Sequence, residues 1–355
     1  MSSTAWRAAH GMLASNGDAR WAIYVPHVRL GHACLTLGMR DPKMRAAQLG
    51  RWKRGLVDLP PIYAYNADYA KRSIEHAVEH GLMAYRLSSD IFPLLDCDLG
   101  LRKFVPPPGE LRAIIERTGI HVSNHPGQFA VLSTPRAHML DNALGVLRDC
   151  GWVMNRIRAK GSITIHGGGV YDDRAGAARR LMENLRRVTV AARRLLVFEN
   201  DEHCWTVPDL LEATDGRVPI VFDKLHWQAN HRSASYETEL GGALATWPAD
   251  RTPELHYSEQ AAGKPRGAHA AHITGKGLLE FLEEVDEAAR GRDAVVIVEA
   301  KRKDLAIARA IGELGGRAYK RLLELVPDLR RAPRDWPRRS ASLEAALDGH
   351  EHAAE

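Results

Sequence analysis

Cysteine is scarce in this chain. The 355 residues include four, Cys34, Cys97, Cys150 and Cys204, and no two of them form a Cys-x-x-Cys pair. That spacing argues against a disulfide framework and against a thiolate zinc cluster. Long apolar runs are missing too, since nothing approaches the roughly 18–20 residues that a membrane span requires. The opening Met1-Ser2-Ser3-Thr4-Ala5-Trp6-Arg7 has no basic segment leading into an apolar one, so no export signal is expected. These absences point to a cytoplasmic protein with no membrane partner. The formal charge of +5 permits a polyanionic partner without demanding one.

What is present is a recurring short pattern. Leu195-Leu196-Val197-Phe198 runs straight into Glu199, Asn200, Asp201 and Glu202, as a strand buried on both faces does when its carboxyl end opens on a polar site. Ser162-Ile163-Thr164-Ile165 ends at His166, Val218 to Phe222 at Asp223, and Ala294 to Val298 at Glu299. Further strands are expected over Arg29–Leu37, Leu82–Ser88, Gly119–Ser123 and Glu254–Tyr257, with helices between them. Asn66 is expected to cap the first helix, which Gly81 stops, and others are expected over Glu110–Arg117, Arg136–Arg158, Ala177–Arg193, Val207–Ala213 and Leu305–Val326.

Eight strands alternating with helices imply a (β/α)8 barrel over residues 28–326. Residues 1–27 read as an N-terminal extension, and the polar, charge-segregated stretch 327–355 as a flexible C-terminal tail.

In such a barrel the carboxyl ends of the strands converge on one mouth. That mouth would gather His125, His166, Glu199, Asp223, His226, His256, His269 and Glu299. Nitrogen and carboxylate donors without thiolate suit Zn²⁺ or Mn²⁺, and the set is larger than one ion uses, which implies two or three divalent ions. Ions about 3.5–4 Å apart are an arrangement used for phosphodiester hydrolysis. Glu199, between His166 and Asp223 in strand order, is the natural bridging ligand.

Several short segments resemble the ultraviolet-damage endonuclease family, whose metal-dependent barrel is shared with endonuclease IV and the xylose-isomerase-like enzymes. They are Arg29-Leu30-Gly31, Tyr85 to Asp90, His125-Pro126-Gly127-Gln128-Phe129, His166-Gly167-Gly168, Glu199 to Glu202, Asp223 to His226, Gly267-Ala268-His269 and Val298 to Lys301. The resemblance implies His125, His166 and Glu199 around one ion, Glu199, Asp223, His256 and Glu299 around a second, and His226 with His269 on a third. It also implies cleavage of damaged double-stranded DNA on the 5′ side of a photolesion, leaving a 3′-hydroxyl and a 5′-phosphate. No obligate protein partner is implied, and the enzyme would be nucleoid-associated when bound to DNA.

Lys301 and the Lys264-Pro265-Arg266 loop would neutralise phosphate. Gln128 and Phe129 stand where the family inserts a Gln-Tyr pair into the duplex. His32 and Thr36 stand where relatives carry Tyr and Asn near the flipped lesion. Glu254 replaces a lysine, and is expected as a ligand, as a group behind one, or as a plain surface acid. Two other functions fit the same barrel: a sugar isomerase or epimerase, and a non-catalytic DNA-damage binder.

Overall fold

Eight parallel strands close on themselves in sequence order. They are β1 (Val28–Ala33), β2 (Ala84–Ser88), β3 (His121–His125), β4 (Ile163–His166), β5 (Leu196–Glu199), β6 (Ile220–Asp223), β7 (Glu254–Tyr257) and β8 (Ala294–Val298). The computed structural model describes residues 27–352 apart from Asp98, Gln128 and residues 232–234, so the N-terminal extension lies outside the described residues except for His27. The seam between β1 and β8 runs from Val28 opposite Ala294 to His32 opposite Val298. With helices between the strands, this is a (β/α)8 barrel.

Successive side chains of a strand point to opposite faces, and the barrel sorts them accordingly. Val296 and Val298 join the large core between strands and helices, whereas Val295 and Ile297 meet Ala33 and Ala84 inside the barrel. Val197 and Val221, also on the inner face, pack with Trp247. The helices present complementary stripes. In Gly275–Ala289, Leu278, Phe281, Leu282, Val285 and Ala289 are buried at helical spacing, and Thr274 caps the first turn by accepting from the Gly277 N–H.

The structure differs from the sequence expectation in several elements. β1 stops at Ala33 because Cys34 adopts a left-handed conformation (φ 66°). The first long helix begins at Leu59, with Pro60 and Pro61 in its opening turn, and Asn66 lies inside it. The Asn66 amide is used for tertiary contacts, bonding Arg45 through both N–H and C=O and the Ile91 carbonyl. The helix expected over Ala177–Arg193 runs Arg174–Leu185, capped by Asp173, and Val190–Arg193 forms a separate turn. The last expected helix is split into Lys303–Glu313 and Gly316–Leu325, with Gly316 at positive φ.

The C-terminal stretch 327–355, expected as a flexible tail, is helical over most of its length in this structure. Trp336–His352 is a helix. Trp336 is buried and its ring lies 4.8 Å from that of His80, while Ser340 and Glu344 are buried one and two turns further on. Arg302 pairs with Glu344 and Asp348, and His272 Nε2 lies 3.1 Å from Glu344. Composition alone hides a helix whose few contact residues recur every third or fourth position.

Candidate metal centre

Six strands bring an inner-face residue at or next to their carboxyl ends to the mouth. His125, His166, Glu199 and Asp223 end β3, β4, β5 and β6, His256 lies in β7, and Glu299 follows β8. Strand register sets neighbours side by side, with His166 opposite Glu199 and Asp223 opposite His256. His226 comes from the first turn of the Lys224–Ala229 helix, which Asp223 caps by accepting the His226 N–H at 2.6 Å. His269 belongs to the loop after β7, held by a bridge to Gln260.

Glu199 is the hub. It is fully buried, with Oε2 2.9 Å from His125 Nε2 and 3.9 Å from His166 Nε2, and Oε1 2.8 Å from His256 Nδ1 and 3.5 Å from His226 Nδ1. Among the described residues, three groups have ligand atoms within 4.8 Å of one another: His125, His166 and Glu199; Glu199, His256 and Glu299; Glu199, Asp223 and His226. Glu199 belongs to all three. His226 clusters with Glu199 and Asp223, its ring lies 5.8 Å from that of His269, and His269 Nε2 lies 3.7 Å from Glu299.

Outer partners orient the rings. His125 Nδ1 lies 2.9 Å from the Pro126 carbonyl, so its Nδ1–H donates there and Nε2 keeps its lone pair towards Glu199, while His226 Nδ1 lies 3.0 Å from the Asn200 carbonyl, 3.5 Å from Glu199 and 3.8 Å from Asp223. Asn200 also locks β5 to β6, donating to the Asp223 carbonyl and accepting the Asp223 N–H. His269 Nδ1 lies 2.8 Å from Ser258 Oγ.

Buried carboxylates and imidazoles shift one another: against its burial, Asp223 and Glu199 raise His226 to about 9. Burial alone would raise the Glu199 carboxyl, but the imidazoles of His256, His166 and His125 hold it well below the usual carboxylate range. Burial raises Asp223, helped by Glu199 and Glu299 and opposed by His226. Burial lowers His166 to about 4, which leaves it the neutral imidazole that coordination needs. Asp223 Oδ2 and His166 Nδ1 are buried without a hydrogen-bond partner among the described residues. Orphaned donor atoms beside crowded carboxylates fit divalent metal ions.

Sequence reasoning missed Arg86, which falls within one of the matching segments. It lies on the inner face of β2, buried, and pairs with Glu299. A signal was available: a cation inside the otherwise apolar run Leu82-Met83-Ala84-Tyr85-Arg86-Leu87. Glu254 lies on the inner face of β7 behind His256, fully buried and outside the three ligand groups. Its oxygens lie 2.9 Å from His121 Nε2 and 3.3 Å from His256 Nε2, so the surface-acid reading is overturned.

Phe129 is 83 % exposed at the mouth, and Gln128 lies outside the described residues. Lys264, Arg266 and Lys301 are exposed, with Arg266 donating to the Gln228 carbonyl at 2.9 Å. His32 and Thr36, expected beside the lesion, are both fully buried in this structure. His32 is two residues from Leu30 on the outward side of β1; both are fully buried, and His32 Nε2 lies 2.9 Å from Thr36 Oγ1.

Fold and site together define a (β/α)8 barrel with a histidine and carboxylate cluster at its carboxyl mouth. Residues 28–326 match the family model described as UV-endonuclease UvdE, and the chain belongs to that family. It is 30% identical over 268 residues to the UV DNA damage endonuclease of Bacillus cereus (strain ATCC 10987 / NRS 248), covering 72% of this chain and 83% of that protein. It is 26% identical over 297 residues to the UV DNA damage endonuclease of Clostridium perfringens (strain 13 / Type A), covering 81% of this chain and 71% of that one. Among solved structures, SacUVDE superposes with TM-score 0.71 at 24% identity, covering 86% of this chain and 98% of that one. Endonuclease IV from Thermus thermophilus shares the fold at TM-score 0.52 and 19% identity, over 72% of this chain and 94% of that one.

Proposed function

We propose that this protein nicks double-stranded DNA on the 5′ side of ultraviolet photoproducts or related lesions. The observation that carries this reading is Glu199, one carboxylate shared by three ligand groups, in a chain of the UV-endonuclease family. His125, His166, Glu199, Asp223, His226, His256, His269 and Glu299 would hold two or three divalent ions, with Mn²⁺ or Zn²⁺ suiting these donors. Bound there, such ions acidify water and offset charge on the phosphate.

In the reaction a water oxygen bonds to phosphorus, the bond from phosphorus to O3′ breaks, and O3′ takes a proton. The products are a 3′-hydroxyl and a 5′-phosphate. Arg86 holds Glu299 in place from the inner face of β2. Lys264, Arg266 and Lys301 meet backbone phosphates around the mouth. Phe129 presses its exposed ring against the bases, and Gln128 beside it completes the probe. The enzyme would work in the cytoplasm, on the nucleoid when engaged with DNA.

The test is cleavage of a duplex carrying one ultraviolet photoproduct, with Mn²⁺, with chelator, and beside an undamaged control. A metal-dependent nick 5′ to the lesion is expected. Glu199→Gln should lower its rate about 10³-fold or more, several kcal/mol of transition-state stabilisation. A lesion duplex left intact by metal-loaded protein refutes the function, and near-normal turnover in Glu199→Gln refutes the ligand assignment.

A further inference from the structure

Beneath the ligand layer the barrel interior holds a second polar layer. Glu254 begins β7 and His121 begins β3, so the two approach from opposite sides of the barrel, below His256 and His125. The Glu254 carboxylate divides its oxygens between two rings, Oε2 lying 2.9 Å from His121 Nε2 and Oε1 3.3 Å from His256 Nε2. Glu254 and His256 are fully buried and His121 nearly so. On its other side, His256 Nδ1 lies 2.8 Å from Glu199 and 3.2 Å from Glu299.

A histidine that coordinates through Nδ1 must carry its proton on Nε2, and a carboxylate at Nε2 enforces that tautomer while making the ring a stronger donor. We propose that His121 and Glu254 are positioning residues that fix the proton of His256 on Nε2, so that Nδ1 is delivered as a ligand atom beside Glu199 and Glu299. His121 acts one step further out, by aligning the carboxylate. A plain core ion pair is the competing account, but a lone buried pair gains little over apolar packing. Here one member of the pair is also hydrogen-bonded to a member of the candidate metal cluster.

The inference rests on the reading that this cluster holds divalent ions. The experiment is calorimetric titration of chelator-stripped protein with Mn²⁺, comparing wild type with Glu254→Gln, alongside ¹⁵N-histidine spectra of the Zn²⁺-loaded wild type. Glu254→Gln keeps the shape and removes the charge. One site is expected to weaken about 10–100-fold, the others holding. In the wild-type spectra, His256 should retain an Nε2–H with Nδ1 bound.

Equal affinity at every site in Glu254→Gln overturns the proposal while leaving the metal reading intact. If that variant does not fold, the spectra decide alone: His256 bound through Nε2 overturns it. A wild type that takes up no ion refutes the metal reading and this inference together.

Discussion

At the scale of single residues, two side chains illustrate opposite designs. Glu199 is a fully buried carboxylate surrounded by imidazoles, so its value lies in charge and not in packing. Phe129 is a large aromatic left 83 % exposed, which contributes almost nothing to folding and is free to stack on a base. Phe129→Ala is therefore expected to change stability by less than about 0.5 kcal/mol. It should narrow discrimination between damaged and intact duplex by about 1–3 kcal/mol, the worth of one stacking contact. Urea unfolding and competition binding check the two halves, and unchanged discrimination would remove Phe129 from recognition.

At the scale of elements, the terminal helix Trp336–His352 ties the two ends of the barrel together. Trp336 packs on His80 at the end of the first long helix, whereas Glu344 and Asp348 reach Arg302 in the turn after β8, three residues beyond Glu299. The contact at Trp336 is the apolar one, and truncating a buried tryptophan costs about 3–5 kcal/mol through lost burial and the cavity left behind. Trp336→Ala should lower unfolding free energy by that order in urea. A loss below about 0.5 kcal/mol would mean that the helix is not docked there in solution.

Elements also show how legible the sequence was. Strands β4, β5, β6 and β8 could be read from apolar runs ending in an acid or imidazole, because a buried parallel strand has no polar face to disguise it. The terminal helix could not, because its contact residues are mostly small or charged, and those charges are matched only by groups elsewhere in the fold. The orientation of His32 was legible too: Val28 and Leu30 mark the outward face of β1, and His32 shares it. Arg86, on the inward face of β2, had the stronger claim to the mouth.

At the scale of the whole molecule, a modest +5 conceals where the cations stand. Lys264, Arg266 and Lys301 are exposed on loops that follow β7 and β8, the end where the ligand cluster lies. Non-specific DNA affinity should accordingly fall steeply with salt, and each lysine that meets a phosphate should contribute about 0.9 to the logarithmic slope. Lys264→Ala and Lys301→Ala are each expected to reduce that slope by about one, uniformly across sequences. A slope unchanged in both would place the DNA path elsewhere on the surface.

By itself the sequence determined the barrel and the donor types, because strand periodicity, helix spacing and the residue closing each strand are properties of a few neighbouring positions. It also offered Glu199 as the central carboxylate, from strand order alone. Only the closed barrel decided which imidazole faces which carboxylate, that Glu254 stands behind His256 with His121, and that Arg86 holds Glu299. Those pairings join residues two to more than two hundred positions apart, and they form only when a closed ring of strands brings the inner faces within hydrogen-bonding reach.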